Sequence, residues 1–181
     1  NMGIEILLHQ PMQYIGQPDY NPSDSQRLYT AMTDQEILDT LRTNLSAVMP
    51  RVAGVNNHQG SAFSQFQHGM EVVVEELKRE GLFFFDSRTI SDATGYDAGK
   101  QDGILTGERD IFIDGDTTQE TEDKILSIAT RAKYAPNLSH TGIGHQRTHT
   151  TPGILNVLDD IDAMGVQLRP VSRSLALIVE A

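Results

Sequence analysis

The 181-residue chain has no cysteine and no tryptophan, and only 6% of its residues are aromatic. The absence of cysteine excludes thiolate catalysis, disulfide bonds and zinc fingers. A metal site would therefore have to use histidine, carboxylate or carbonyl ligands. The scarcity of aromatic residues weakens a purely sugar-binding role, because sugar-binding surfaces usually present aromatic faces.

Positive charge is also scarce, with 14 Lys and Arg residues against 25 Asp and Glu residues and a net charge of −11. Such a balance argues against binding to nucleic acid or to an anionic membrane surface, and it leaves neutral and cationic substrates open. No apolar run approaches the ~20 residues that span a bilayer, so the sequence predicts no membrane insertion.

Short apolar runs alternate with segments of helical periodicity along the whole chain. Strands are predicted at residues 4–12, 52–57, 82–86, 110–114, 141–146 and 166–172. Helices are predicted from the Thr33/Glu36 capping box to Pro50, at 64–80, over part of 91–103, at 118–133 and at 151–165. This alternation predicts a single α/β domain over residues 1–181, with a parallel sheet that is either open or closed into a barrel.

Chemically active side chains lie at or near the carboxyl ends of five predicted strands, where parallel α/β folds collect their functional groups. They are His9, the run Asn56, Asn57 and His58, the run Asp86, Ser87 and Arg88, then Asp114 and His145.

His9 has two interpretations, a core histidine bonded to the backbone or a metal ligand, since neutral imidazole is a common protein ligand for metals. His58 is the stronger ligand candidate, because asparagine side chains beside it can orient its ring. Asn57 and Ser61, which flank His58, are predicted to contact substrate.

Asp86 and Arg88 are two residues apart on a strand and therefore point to the same face. They are either a structural ion pair or an electrostatic group that orients a catalytic carboxylate or the substrate. His145 is a candidate general acid or base, because the unperturbed pKa of histidine is near 6.5.

The motifs EILLHQPM, GVNNHQGSAF, GLFFFDSRT, RDIFID and GIGHQRTHT, followed by LRPVS, occur in this order along nearly the whole chain. In these motifs the chain resembles the divergent polysaccharide deacetylase family. The resemblance implies an irregular seven-stranded (β/α) barrel and a divalent metal, most often zinc, held by one aspartate and two histidines.

Transferred to this sequence, the resemblance implies that His58 and His9 are metal ligands and that His145 is the general acid. It also implies that Asp86 and Arg88 orient catalytic groups or contact substrate. The paired-aspartate motif with which the family begins has no match here. We therefore expect the chain to be a fragment that lacks the first two βα units, on the order of 60 residues at ~30 residues per unit.

The function that the resemblance implies is a hydrolase that removes acetyl groups from a polysaccharide or glycan in the periplasm. Two alternatives remain open at the level of sequence. One is a non-catalytic carbohydrate-binding or envelope-associated module with the same fold. The other is glycoside hydrolysis by Asp86 and Asp114, which would leave the histidines unexplained.

Overall fold

A computed structural model of the protein describes residues 4–18, 20, 21 and 23–179, with side chains described as far as residue 175. These residues form two compact units, which we call the N-terminal unit (4–108) and the C-terminal unit (109–179). The single domain over residues 1–181 stays a prediction. No helix in the described part of the chain is long and apolar enough to cross a membrane.

The N-terminal unit is built on a four-stranded parallel sheet. In spatial order its strands are β1 (Ile6–Met12), β2 (Val52–Gln59), β3 (Phe83–Asp86) and β4 (Thr106–Glu108). Its helices are α1 (Asp34–Ser46), α2 (Gln67–Glu80) and α3 (Gly95–Asp102). The register pairs His9 with Asn56 across β1 and β2, and Asp86 with Glu108 across β3 and β4.

Local sequence signals explain where these elements begin and end. Thr33 and Glu36 form the predicted capping box at the start of α1, and Gly81 ends α2 in the left-handed conformation with φ 68°. All four residues of β3 are buried, as expected for a central strand of a parallel sheet with both faces covered. The core therefore holds β3 in place and brings its polar end, Asp86, to the edge of the sheet.

The C-terminal unit contains one pair of short parallel strands, β5 (Ile111–Phe112) and β6 (Gly142–Ile143). Its helices are α4 (Thr118–Tyr134), α5 (Thr150–Asn156), α6 (Leu158–Ala163) and α7 (Val171–Val179). A small apolar core of Ala129, Val157 and Ile161 packs α4 against the α5–α6 segment. The turns that follow β5 and β6 carry Asp114 and His145.

Three expectations about individual elements were wrong. Residues 166–170 are irregular rather than a strand, and α7 follows them. Pro170 has no N–H for a strand ladder, and its carbonyl instead accepts hydrogen bonds from the N–H groups of Arg173 and Ser174. The helix predicted at 151–165 begins at Thr150 and is divided at Val157. Strand β4 was missed, because three residues with the sequence TGE carry no apolar pattern.

The predicted α/β class with a parallel sheet is confirmed. Every strand pair in the described residues is parallel. Those residues contain six strands, in sheets of four and two. The count of seven strands stays a prediction.

Candidate functional site

His9 and His58 meet on one face of the β1–β2 pair. Asn56 is in register with His9, and His58 lies two residues further along β2, so the three side chains emerge on the same side of the sheet. His9 Nε2 and His58 Nδ1 are 2.8 Å apart, and the ring centroids are 4.5 Å apart. His9 is exposed. The alternative of a core histidine is therefore wrong.

The second nitrogen of His9 is held by an asparagine. His9 Nδ1 lies 2.8 Å from Asn56 Oδ1, and Asn56 Nδ2 donates to Ser87 Oγ at 2.7 Å. Ser87 Oγ donates in turn to the carbonyl of Asn57 at 2.8 Å. The sequence suggested that asparagine would orient His58, but in the structure Asn56 orients His9.

The histidine pair is chemically suited to a divalent metal. Imidazole nitrogens are common zinc ligands, and a bound nitrogen whose ring partner is hydrogen-bonded is the usual arrangement. In this structure the two nitrogens lie at hydrogen-bond distance from each other, so they would have to separate to hold one metal ion between them. Among the described residues, no group of three or more histidine and carboxylate side chains is arranged for a metal. The described residues thus offer two nitrogen ligands.

Asn57 and Ser61 were predicted to contact substrate, but only Ser61 is accessible from the surface. Asn57 is only 1% exposed, and its Oδ1 accepts a hydrogen bond from the N–H of Ser87 at 2.7 Å. This burial leaves no surface for a polysaccharide, so we assign Asn57 to the support of the loop after β3. Ser61 is partly exposed, and its Oγ accepts from the N–H of Ile15 at 3.0 Å. Its contact with substrate stays a prediction.

Asp86 and Arg88 lie at the end of β3 and interact through the backbone. Asp86 Oδ1 accepts a hydrogen bond from the N–H of Arg88 at 2.7 Å. The Arg88 guanidinium forms a salt bridge with Glu108 and donates to the carbonyls of Ser91 and Ala93. Glu108 could not be identified from the sequence, because strand β4 has no apolar pattern that would reveal it.

The backbone of Arg88 has φ 47°, and that of Gln59, at the end of β2, has φ 57°. Non-glycine residues rarely adopt this left-handed conformation, which is concentrated at functional sites and turns. Both residues lie at the carboxyl ends of strands that carry the candidate groups. The hydrogen bonds of the loops at this edge of the sheet therefore hold the backbone in conformations that non-glycine residues seldom adopt.

The Asp86 carboxyl group is fully buried, and its Oδ2 has no hydrogen-bond partner within the described residues. Burial raises the pKa of Asp86 above its ordinary value, and the hydrogen bond from the Arg88 N–H offsets this only in part. A fully buried group cannot touch a polysaccharide in this arrangement, and the contact that the structure shows for Asp86 is with the loop after β3.

Replacing Asp86 with Asn is expected to change how stability depends on pH. Because the folded pKa is raised, the wild-type free energy of unfolding falls as pH rises from about 4, the unfolded value, through the folded pKa. D86N has no such titration, so its stability relative to wild type should increase across that window. Urea unfolding between pH 4 and 8 measures this, with D92N as an exposed control in the same loop. Parallel curves for wild type and D86N would contradict the prediction.

Asp114 and His145 form a hydrogen-bonded pair in the C-terminal unit. Asp114 Oδ2 lies 2.6 Å from His145 Nδ1, and Asp114 Oδ1 accepts from the His145 N–H at 2.8 Å. Thr150 Oγ1 donates to the same Oδ1 at 2.8 Å. The His145 side chain is 50% exposed, whereas that of Asp114 is 9% exposed. This arrangement holds the imidazole by Nδ1 and leaves proton transfer to Nε2.

The surroundings of this pair keep Asp114 charged. Burial alone would raise the pKa of Asp114, but hydrogen bonds from His145 and Thr150 outweigh it and lower the pKa below its usual value. The ring of His145 is stacked on Phe112, with the centroids 6.1 Å apart. The sequence identified Asp114 and His145 as strand-end residues, but Thr150 was missed, because a threonine at a helix start is normally read as a cap.

Comparison with known proteins gives two similar curated relatives, both without an assigned function. The uncharacterized protein YibQ of Escherichia coli K12 is 30% identical over 150 residues, which are 83% of this chain and 46% of YibQ. An uncharacterized protein of Haemophilus influenzae Rd is 29% identical over 171 residues, which are 92% of this chain and 59% of that protein. The chain thus spans about half the length of these relatives.

A solved structure supports the fold. The crystal structure of the uncharacterized protein ATU2773 from Agrobacterium tumefaciens C58 matches with a TM-score of 0.84 and 22% identity, over 93% of this chain and 68% of that one. The family model described as divergent polysaccharide deacetylase matches residues 1–175. This match covers all the motifs that suggested the resemblance, and the chain belongs to the divergent polysaccharide deacetylase family.

Proposed function

We propose that this chain carries part or all of a metal-dependent deacetylase that removes acetyl groups from a polysaccharide or glycan. The observation that carries the proposal is the meeting of His9 and His58, whose nitrogens are 2.8 Å apart, with His9 oriented by Asn56. The two imidazoles share a contact between ring nitrogens on one sheet face, which brings two possible metal ligands together. Membership of the family supports the reaction class.

His9 and His58 are the residues that would hold the metal, which we propose to be zinc because imidazole suits it well. The chemistry that such a metal would supply when bound is polarisation of the acetyl carbonyl and a lowered pKa of water at the site. In this chain, Asn56 would keep the His9 ring in the ligand orientation, and Asn57 and Ser87 would hold Asn56 in turn. Ser61 would contact the substrate beside this pair.

His145 would act as the general acid. Hydrolysis breaks the bond between the acetyl carbon and a sugar nitrogen or oxygen, and the leaving atom must take up a proton. His145 would donate that proton from Nε2, while the Asp114 carboxylate at Nδ1 would stabilise the charged ring and hold its tautomer. Arg88, fixed by Glu108, would stabilise the loop after β3 together with Asp86. We propose the periplasm as the location on the resemblance alone.

Zinc binding tests the proposal directly. We expect the native protein to bind one zinc ion per chain, and His9→Ala and His58→Ala each to weaken binding at least about a hundredfold, because each removes one nitrogen ligand. His68→Ala is the matched control, since His68 lies in the same unit and its Nε2 contacts Asp34 at 2.8 Å. Isothermal titration calorimetry with zinc chloride gives the affinities.

Three outcomes of the zinc titration would be informative. Loss of binding in both test variants, with binding retained in H68A, would support the site and justify a screen of N- and O-acetylated oligosaccharides. Equal affinity in all variants would remove His9 and His58 from the ligand set. No zinc binding by the native protein would favour the non-catalytic carbohydrate-binding module.

A further inference from the structure

Ser87 sets the direction of a chain of hydrogen bonds that ends at the histidine pair. Its hydroxyl group has a single hydrogen, which it donates to the carbonyl oxygen of Asn57 at 2.8 Å. Towards Asn56, the Ser87 Oγ can therefore only accept. Asn56 must present its NH2 group to Ser87, at 2.7 Å, and its carbonyl oxygen to His9.

The orientation of Asn56 determines the tautomer of His9. Asn56 Oδ1 has no hydrogen to donate, so the 2.8 Å contact requires a proton on His9 Nδ1. A neutral imidazole has only one N–H, and Nε2 of His9 is then an acceptor. In the metal-free protein His58 Nδ1, 2.8 Å from this Nε2, must then supply the hydrogen of that contact, and this proton would have to leave Nδ1 before that nitrogen could bind a metal.

We infer that Asn56 and Ser87 are positioning residues that hold His9 in the Nδ1–H tautomer and keep the lone pair of Nε2 directed at His58. The inference extends the proposed function, for which Nε2 is the ligand nitrogen of His9, but the tautomer itself follows from the hydrogen bonds alone. Neither residue would touch the substrate or the reacting atoms.

The hydrogen-bond partners of His9 and His145 suit different chemical roles, metal ligand for His9 and general acid for His145. A neutral amide holds Nδ1 of His9, whereas the Asp114 carboxylate holds Nδ1 of His145. A carboxylate stabilises the protonated imidazole that general acid catalysis needs, and a neutral amide adds no such stabilisation. Asn56 therefore fixes which nitrogen of a neutral His9 ring offers its lone pair, and a metal ligand needs such a lone pair.

Nitrogen-15 NMR of the metal-free protein tests the inference without an activity assay. At pH about 9, above the ordinary histidine pKa of about 6.5, two-bond and three-bond couplings report which ring nitrogen carries the proton. We expect the Nδ1–H form for His9 and also for His58. An Nε2–H form of His9 in the wild type would overturn the inference, even if the protein binds zinc.

Variants separate positioning from simple packing. Asn56→Leu removes the acceptor and is expected to shift His9 towards the Nε2–H form and to weaken zinc binding about 10–100-fold. Asn56→Asp keeps an acceptor for His9 and should retain the Nδ1–H form. Ser87→Ala frees the Asn56 amide to turn over and should give a mixture of tautomers. Ser91→Ala, on the same loop and exposed, should leave the tautomer unchanged.

The two proposals fail in different ways. A wild-type protein with the Nδ1–H form that binds no zinc would support the positioning inference and contradict the metal site. Zinc binding that is lost in N56L with an unchanged tautomer would overturn the inference and leave the metal site standing. A tautomer that is the same in N56L and wild type overturns it in every case.

Discussion

Replacing Asp114 with Asn is expected to lower kcat for acetyl release by about 10³–10⁴-fold, with little change in KM. Asparagine can present its NH2 group to Nδ1 of His145, which opposes protonation of that nitrogen and so disfavours the doubly protonated ring that must donate from Nε2. It also removes the carboxylate charge that the hydrogen bonds from His145 and Thr150 maintain. Substrate binding should change little, since the contacts of Asp114 described above are internal.

The measurement is acetate release from an N- or O-acetylated oligosaccharide that the substrate screen of the proposed function identifies. Asp116→Asn is the matched control, because Asp116 lies two residues further along and is exposed. We expect D116N to retain nearly full activity. A loss of less than about tenfold in D114N would show that His145 does not depend on its carboxylate partner and would contradict the general-acid role.

Removing both arginines that contact Glu76 is expected to lower the free energy of unfolding by about 3–5 kcal/mol, because it leaves a buried charge without a partner. The Glu76 side chain is 2% exposed. Arg42 binds it through Nε at 2.6 Å and Nη2 at 3.0 Å, and Arg79 adds a second salt bridge. The test variant is R42M/R79M, measured by urea unfolding at pH 7.

Glu76→Met provides the contrasting variant. It removes the buried charge itself, and the half-exposed arginine side chains can turn to water. E76M should therefore lower the free energy of unfolding clearly less than the double variant does, since an apolar group of similar size often replaces a buried ion pair with little loss of stability. R51M, at an exposed arginine, serves as the control for lost charge. A larger cost for E76M than for R42M/R79M would contradict this account.

The Glu76 cluster also predicts a dependence on pH. The hydrogen bond from Arg42 lowers the pKa of Glu76, with a further contribution from the charge of Arg79. The cluster therefore stabilises the protein fully above the unfolded glutamate pKa of about 4.3, and this contribution is lost as pH falls through the lowered folded value. The difference in stability between wild type and E76M should change over this acidic range.

Elements with strong local patterns were predicted well. The apolar run of β3, the capping box of α1 and the glycine after α2 each carry their signal within a few residues. The errors are at elements whose signal is weak or ambiguous. Strand β4 has three residues and no alternation, and the segment 166–170 contains apolar residues but forms no strand among the described residues.

In the candidate site, too, some features could be predicted from the sequence and others could not. Residue types and strand-end positions identify His9, His58, Asp114 and His145 as candidates, because parallel strands deliver their carboxyl ends to one edge. Their partners could not be predicted. His9 and His58 are 49 residues apart, and Asp114 and His145 are 31 apart. No local signal reports which of several asparagines or carboxylates will lie within hydrogen-bond distance.

By itself, the sequence determined the α/β class, the family and the short set of residues able to do chemistry, since these depend on periodicity, composition and local motifs. Only the tertiary structure decided that Asn56 holds His9, that Asn57 is buried, that Arg88 binds Glu108 and that Thr150 supports Asp114. Those choices depend on strand register and on distances of about 3 Å between residues distant in the chain. A one-residue shift of β2 would direct Asn56 and Asn57 to the opposite faces of the sheet.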